Sequence, residues 1–177
     1  MQFKNQPPVK VFNSNNNKED PSVSILIPTF RRINLLENAI LSAIKQDTFL
    51  DYEIIIVDND QSKDSLDLIK KLSQKFPSAN LKLYQNSENI GLYGNWNACL
   101  LLGISKWMAI ISDDDLLKPN WLSVMWESKD KLQDPILIGC DYDFNKKEYY
   151  RYKSFKKFFR FFDKTIQSKI KIRKLSV

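Results

Sequence analysis

Three consecutive aspartates, at positions 113 to 115, are the residues of this chain best suited to chemistry, and they follow the apolar segment 107–111 after a single serine. Adjacent carboxylates on an extended chain cannot all point away from one another, and their repulsion is costly unless a cation or water relieves it. Mg²⁺ and Mn²⁺ favour carboxylate oxygens and bridge them to substrate phosphates. In the other interpretation, an Asp of a solvated loop caps the helix that begins near Pro119. The triplet by itself leaves both interpretations open.

The composition excludes several classes of catalytic and metal site, because the 177 residues include no histidine. Ser-His-Asp catalysis, Cys-His catalysis and His-ligated zinc are therefore excluded within this chain. The two cysteines, Cys99 and Cys140, form no C-x-x-C pair and lie among apolar neighbours. Such cysteines are typical of buried thiols in a reducing compartment. Without an apolar signal segment or a bilayer-spanning run, the sequence predicts a cytoplasmic protein.

From Pro21 onward, apolar segments typical of buried strands alternate with segments of helical periodicity. The predicted strands are 22–28, 52–57, 81–84, 107–111 and 136–140, and the predicted helices are 32–46, 65–76, 95–104 and 120–131. This order predicts βαβ units and an α/β fold with a mainly parallel sheet flanked by helices. Ligands of such sheets bind beyond the carboxyl ends of the strands. Polar residues collect at three of those ends, 29–31, 58–60 and 113–115.

The chain has only four glycines, and they form neither G-x-G-x-x-G nor G-x-x-x-x-G-K-[ST]. Backbone amides of a glycine-rich loop therefore do not hold a phosphate here. Acidic strand ends repel phosphate, so a metal ion must mediate its binding. A receiver-like phosphoacceptor fold also gathers aspartates at strand ends, but with Asp58 as its nucleophile the triplet stays unexplained.

Four motifs in order resemble the N-terminal half of a family 2 glycosyltransferase. They are PSVSILIPTFR (21–31), EIIIVDND (53–60), NIGLYGNWN (89–97) and SDDDLLKP (112–119). The resemblance covers residues 22–140 and implies the GT-A fold, which binds nucleotide-diphospho-sugars, as a single domain. Relatives continue past the end of this chain, which is therefore expected to be truncated at its C-terminus.

The resemblance also implies roles for individual residues. The residues implied in donor binding are Pro28, Thr29, Arg31, Asp58, Asn59, Asn89, Gly91, Asn97 and Asp113. Asp114 is the implied metal ligand, with Asp115 beside it, for Mg²⁺ or Mn²⁺. Trp96 stands where relatives often carry an Arg, which removes that direct contact to the diphosphate. For the loop 89–97, a structural role is favoured over ligand contact.

The implied activity is transfer of a sugar, with inversion, from a nucleotide-diphospho-sugar to a saccharide or lipid-linked acceptor in cell-surface polysaccharide synthesis. Such transfer needs a general base. In the resembled family the base is an acidic residue well after the metal motif, and Asp141 and Asp143 come too early for that role. The base is therefore expected to be absent from this chain. The alternative function is a truncated, non-catalytic fragment that binds donor or associates with a membrane.

Three segments are predicted: a flexible arm at 1–20, the nucleotide-sugar-binding domain at 21–143 and a basic amphipathic tail at 144–177. The tail carries 12 Lys and Arg against two acidic residues, and its aromatic residues recur at helical spacing. A helix formed by 150–174 can lie on an anionic membrane surface, which would place the protein on the inner face of the plasma membrane. It can also pack on the domain, and both interpretations stay open. Nucleic-acid binding is disfavoured, because no recognised module accompanies the basic residues.

Overall fold

In a computed structural model of the chain, the structure describes residues 7–14, 16 and 20–131. Residues Met1–Val124 belong to one compact unit, which holds the sheet and the candidate site, and Met125–Val177 belong to a second. Of the second unit, the structure describes the end of one helix and Lys131. The predicted strand at 136–140, the tail at 144–177 and the aspartates 141 and 143 lie outside the described residues.

Strands and helices alternate as the sequence predicts. The elements are β1 (Val9–Asn13), β2 (Val23–Thr29), α1 (Ile33–Ile44), β3 (Tyr52–Asp58), α2 (Asp64–Lys75), β4 (Leu81–Gln85), α3 (Gly91–Leu102), β5 (Trp107–Ile110) and α4 (Trp121–Asp130). Most predicted bounds agree to within one or two residues. The exception is α3, which begins at Gly91 rather than at residue 95. None of the helices in the described part of the chain is long and apolar enough to cross a membrane.

The five strands form one sheet in the order β1-β4-β3-β2-β5. β2 pairs in parallel with β3 and β5, and β3 pairs in parallel with β4. In this register Thr29 stands beside Asp58, and Asp58 stands beside Gln85. The polar residues after β2, β3 and β5 therefore meet at one edge of the sheet, which positions the candidate site.

β1 corrects the prediction of a flexible arm at 1–20, which is wrong for Val9–Asn13. This segment pairs antiparallel with β4. Just beyond it, the Ser14 amide donates to the carbonyl of Leu81, and the Leu81 amide donates to Ser14 Oγ, both at 2.9 Å. The Asn- and Lys-rich composition of 1–20 as a whole indicates little burial. An edge strand is nevertheless stabilised by backbone pairing with a distant strand, which composition does not report.

Helices cover the sheet through residues that alternate along each strand. Leu26, Ile55 and Val57 pack against Ala98 and Cys99 of α3. The alternate residues of β2 and β3, Ile25, Ile27, Ile54 and Ile56, are fully buried and point to the opposite face of the sheet. α1 and α2, which contact each other, pack on the strands as well. The continuous apolar runs that predict strands buried on both faces are thereby explained.

One charged pair is buried within the sheet. Lys82 Nζ lies 2.7 Å from Glu53 Oε2, and both side chains are almost inaccessible to solvent. Ser24 Oγ donates to the other oxygen of Glu53. The neighbouring strands thus supply both the counter-charge and the hydrogen bonds that a buried carboxylate requires.

Candidate functional site

The site is built around Asp113, a fully buried carboxylate that follows β5. Thr29 Oγ1, at the end of β2, donates to Asp113 Oδ2 at 2.7 Å. Arg32 Nε donates to the same oxygen at 3.2 Å, and Arg32 Nη2 donates to Asp113 Oδ1. Burial raises the pKa of Asp113, while the Thr29 hydrogen bond and the Arg32 charge act to lower it. Asp113 is therefore held in a fixed orientation by two residues from the β2–α1 connection.

The second carboxylate of the triplet, Asp114, points toward solvent and has a side chain that is 35% exposed. Arg32 Nη1 lies 3.0 Å from its Oδ2. One guanidinium therefore joins Asp113 and Asp114. The side chain of Asp115 is half-buried, and burial, followed by the neighbouring Asp114 charge, raises its pKa.

The triplet does not cap a helix. α4 begins at Trp121, and the Asp115 amide donates to the carbonyl of Ser112 in a turn. An N-cap residue directly precedes the first helical residue, so Asp115 lies too early in the sequence for that role. The helix-cap interpretation is therefore wrong.

Asp58 ends β3 and is also buried. Ser65 Oγ donates to Asp58 Oδ2 at 2.5 Å, and the Asp60 amide donates to Asp58 Oδ1 at 3.0 Å. Burial raises the pKa of Asp58, and the hydrogen bond from Ser65 is the largest of the effects that oppose the rise. Among the described residues, no cation pairs with this carboxylate, so its burial lowers the stability of the fold.

Asn59 is occupied by contacts within the protein. Its Oδ1 accepts hydrogen bonds from Asn86 Nδ2 and from the Ile90 amide, both at 3.0 Å. Its Nδ2 donates to Asn89 Oδ1 at 2.7 Å, and Asn89 Oδ1 also accepts from the Gly91 amide. Gly91 has a φ of +74°, which suits glycine. These contacts give Asn59, Asn89 and Gly91 a structural role in shaping the loop before α3.

Asn95 is a polar residue of this network that the sequence did not single out. It is buried, and its Nδ2 donates to the carbonyl of Val57 at 3.0 Å and to that of Thr29 at 3.3 Å. Its Oδ1 accepts from Asn86 Nδ2. Asn97, which was predicted instead, is exposed, and it lies about 200° around the helix from Asn95. The structure therefore places Asn95, not Asn97, at the ends of β2 and β3.

Arg32 is the other residue that sequence reasoning missed, since Arg31 was the predicted member of this pair. Arg31 has a φ of +57°, and its Nε lies 2.5 Å from Asp60 Oδ2. The hydrogen bond from Arg31 lowers the pKa of Asp60. The two adjacent arginines thus contact different aspartates, and only Arg32 contacts the triplet.

The other predicted residues lie close by in the fold. Pro28 is buried in β2 beside Val57 and precedes Thr29. An open surface depression of about 340 Å³ lies next to the cluster and is lined by residues 31–35 at the start of α1. The site therefore combines buried, oriented polar groups with open space next to Arg32.

Asp113 and Asp114 fit one mode of metal binding. The described residues contain no group of three or more His, Cys, Asp or Glu side chains that could hold a metal ion by themselves. Mg²⁺ usually binds through one or two carboxylates together with substrate phosphates and water. Two neighbouring carboxylates, one exposed and one fixed, match that donor set.

Comparisons with known proteins bear on the family and the fold of this chain. The family model described as glycosyl transferase family 2 matches residues 24–175. A GalNAc(5)-diNAcBac-PP-undecaprenol beta-1,3-glucosyltransferase of Campylobacter jejuni is 32% identical over 120 residues, which are 68% of this chain and 38% of that protein. The chain thus spans well under half the length of this relative.

Solved structures show the same fold. TarS of S. aureus, residues 1–349 in complex with UDP, has a TM-score of 0.55 and 21% identity, with 62% of this chain and 32% of that chain covered. The mannosyltransferase PcManGT of Pyrobaculum calidifontis, in complex with GDP-Man and Mn²⁺, has a TM-score of 0.50 and 21% identity, with 63% and 32% covered. The predicted GT-A-like α/β fold is confirmed.

Proposed function

Because this chain belongs to glycosyl transferase family 2, we propose that it transfers a sugar from a nucleotide-diphospho-sugar to a saccharide or lipid-linked acceptor. The observation that carries the proposal is the convergence of Thr29, Arg32, Asp113 and Asp114 at the carboxyl edge of a parallel sheet. That edge is where ligands of open α/β sheets bind. TarS and PcManGT, which share the fold, bind UDP and GDP-Man respectively, and this supports a nucleotide-linked donor.

The nucleoside end of the donor is assigned to the ends of β2 and β3. Pro28 and Thr29 supply one wall of the nucleoside site, and Asp58 supplies a carboxylate that can accept hydrogen bonds from the nucleobase. Asp58 is buried with hydrogen bonds but, among the described residues, without a paired cation, and such burial is costly for a fold, so its presence at a strand end supports a role in recognition. Asn59, Asn89 and Gly91 contribute by shaping the loop, since their side-chain and backbone groups bind one another.

The diphosphate end is assigned to Asp113 and Asp114, with Asp114 as the metal ligand because it is the exposed member of the pair. A bound Mg²⁺ or Mn²⁺ supplies positive charge that stabilises the departing diphosphate. The burial of Asp113 and its hydrogen bond from Thr29 fix this carboxylate beside Asp114. Asp115 stays a candidate second ligand.

The acceptor is proposed from similarity. The Campylobacter relative is named for a saccharide carried on PP-undecaprenol, which supports a lipid-linked saccharide and a place in cell-surface polysaccharide synthesis. Transfer with inversion would need a general base near the acceptor hydroxyl. Among the described residues, Asp58 and Asp113 are buried and already accept hydrogen bonds, so we assign the base to neither. Membrane contact through 150–174 remains a prediction.

The test is a thermal-shift panel of UDP-, GDP- and dTDP-sugars with and without Mn²⁺, followed by an assay of donor hydrolysis and of transfer to a lipid-linked saccharide. The expected result is Mn²⁺-dependent stabilisation by one donor class and turnover of that donor. Stabilisation without any turnover would favour the non-catalytic donor-binding alternative. A panel in which no nucleotide sugar stabilises the protein would contradict the proposed function.

A further inference from the structure

The guanidinium of Arg32 contacts both carboxylates to which the proposed function assigns the metal and the diphosphate. Its Nη1 lies 3.0 Å from Asp114 Oδ2, its Nε lies 3.2 Å from Asp113 Oδ2, and its Nη2 contacts Asp113 Oδ1. One cationic side chain therefore takes three of the four oxygens of this pair. A divalent cation that binds to this pair would compete for the same two carboxylates.

Two cations cannot share these carboxylates without strong repulsion at close range. Arg32 must therefore leave at least Asp114 before a cation binds there. The side chain has room to do so, because it is 44% exposed and borders the open surface depression lined by residues 31–35. Its backbone stays anchored, since the Arg32 carbonyl accepts hydrogen bonds from the amides of Leu35 and Leu36.

A displaced guanidinium needs another anionic partner, and the diphosphate of the donor is the anion that the proposed function brings to this edge. Arginine pairs with phosphate oxygens in a planar, bidentate geometry. When no diphosphate is present, a cation must expel Arg32 into solvent. When the diphosphate is bound, the expelled Arg32 gains a partner, so the same step is favoured.

We propose that Arg32 is a built-in counter-ion that competes with the divalent cation for Asp113 and Asp114 and couples binding of that cation to binding of the donor diphosphate. Only the coupling to the diphosphate rests on the proposed function. The competition between Arg32 and the cation for the two carboxylates involves this chain and a bare cation alone. By linkage, the diphosphate raises the affinity for the cation by the same factor by which the cation raises the affinity for the diphosphate.

The experiment is isothermal titration calorimetry of the full chain and of Arg32→Gln, first with MnCl₂ alone and then with UDP and with GDP in the absence and presence of saturating Mn²⁺. Arg32→Gln should bind Mn²⁺ alone roughly tenfold more tightly than the wild type. The factor by which Mn²⁺ improves binding of the nucleoside diphosphate should be roughly tenfold smaller in this variant.

Two further variants separate charge from geometry and guard against misfolding. Arg32→Lys keeps the charge but loses the planar fork, so its affinity for Mn²⁺ alone should stay near the wild-type value while the coupling decreases. Lys71→Gln removes an equal charge from an exposed pair with Glu37, and it should match the wild type in both affinities. Circular dichroism confirms that each variant is folded.

Unchanged or weaker binding of Mn²⁺ alone by folded Arg32→Gln would overturn the competition. If that variant does not fold, wild-type coupling in Arg32→Lys overturns the proposal instead. A wild type that binds Mn²⁺ but neither nucleoside diphosphate contradicts the coupling and the proposed function, and the titration with Mn²⁺ alone still decides the competition. Failure of the inference and failure of the proposed function are thereby distinguishable.

Discussion

The hydroxyl of Thr29 donates a hydrogen bond of 2.7 Å to Asp113, and both side chains are buried. Thr29 ends β2 and Asp113 follows β5, so this bond joins the ends of two neighbouring parallel strands. It keeps a carboxylate without solvent contact at the edge where a ligand of this fold binds. The arrangement at the site therefore depends on a small side chain that does not itself carry charge.

Thr29→Val should destabilise the protein, because the isosteric side chain cannot donate to Asp113 and leaves one of its oxygens with a weaker set of partners. Loss of a hydrogen bond to a charged, buried group costs about 1.5–3 kcal/mol. The free energy of unfolding, measured in urea, gives this quantity. Thr29→Ser retains the hydroxyl and serves as the control, and equal stabilities of the Val and Ser variants would show that the bond contributes nothing.

Asn95 and Asn97 form a matched pair of positions on α3. Asn95→Ala should lower the free energy of unfolding by about 2–3 kcal/mol, because it removes the buried side-chain donor to the carbonyl of Val57 and the acceptor of Asn86 Nδ2, and leaves the carbonyl of Thr29 with the Asn59 amide alone. Asn97→Ala changes an exposed residue and should stay within about 0.5 kcal/mol of the wild type. The same urea titrations measure both variants. Similar losses in the two variants would contradict the placement of Asn95.

The stability of the Asp58→Asn variant relative to the wild type should increase as pH rises. The pKa of Asp58 is raised by burial above 3.8, so the unfolded state loses this proton at a lower pH than the folded state does. Wild-type stability is therefore lost as pH rises from about 3.8 through the folded pKa, and Asn avoids that loss. The Tm of both proteins at pH 4 and pH 7 measures the effect.

Asp60→Asn provides a control of opposite sign for that experiment. The hydrogen bond from Arg31 lowers the pKa of Asp60, so its ion pair adds stability above pH 3.8 that is lost as pH falls. The Tm of Asp60→Asn, relative to that of the wild type, should therefore be lower at pH 7 than at low pH. The difference should be small because the pair is exposed. A Tm difference for Asp58→Asn that does not change between pH 4 and pH 7 would be inconsistent with the account of Asp58.

Substitutions in the buried pair of Lys82 and Glu53 should change the free energy of unfolding by large and non-additive amounts. Lys82→Met leaves Glu53 buried without its counter-charge, which should cost about 3–5 kcal/mol. The double variant Glu53→Gln, Lys82→Met removes both charges and should recover most of that loss. Unfolding free energies of the wild type, the two single variants and the double variant complete the cycle. Additive losses would show that the two side chains do not interact.

Much of the sheet and the position of the site could be predicted from the sequence. Apolar runs identify strands buried on both faces, and parallel strands must end at one edge, so Thr29, Asp58 and Asp113 were expected near one another. The structure brings Thr29 and Asp113 into contact and places Thr29 beside Asp58. These expectations needed only periodicity and topology.

Of the two missed residues, Arg32 depends on geometry that periodicity does not report. Which of two adjacent arginines meets the triplet depends on the positive φ of Arg31, and no residue type signals such a backbone here. Asn95 could have been found from its spacing to Ala98 and Cys99, which share its buried face. All three residues lie within the predicted helix 95–104, so this spacing could be read from the sequence.

The central claim is a metal-dependent diphosphate site at Asp113 and Asp114, and Asp114→Ala tests it most directly. Calorimetry with UDP and GDP, with and without Mn²⁺, compares the wild type, this variant and Asp67→Ala, which removes an exposed carboxylate from α2. We predict that Mn²⁺ increases the affinity of the wild type and of Asp67→Ala for one nucleoside diphosphate, and that Asp114→Ala loses this increase. A folded Asp114→Ala protein with the wild-type Mn²⁺-dependent affinity would contradict the assignment.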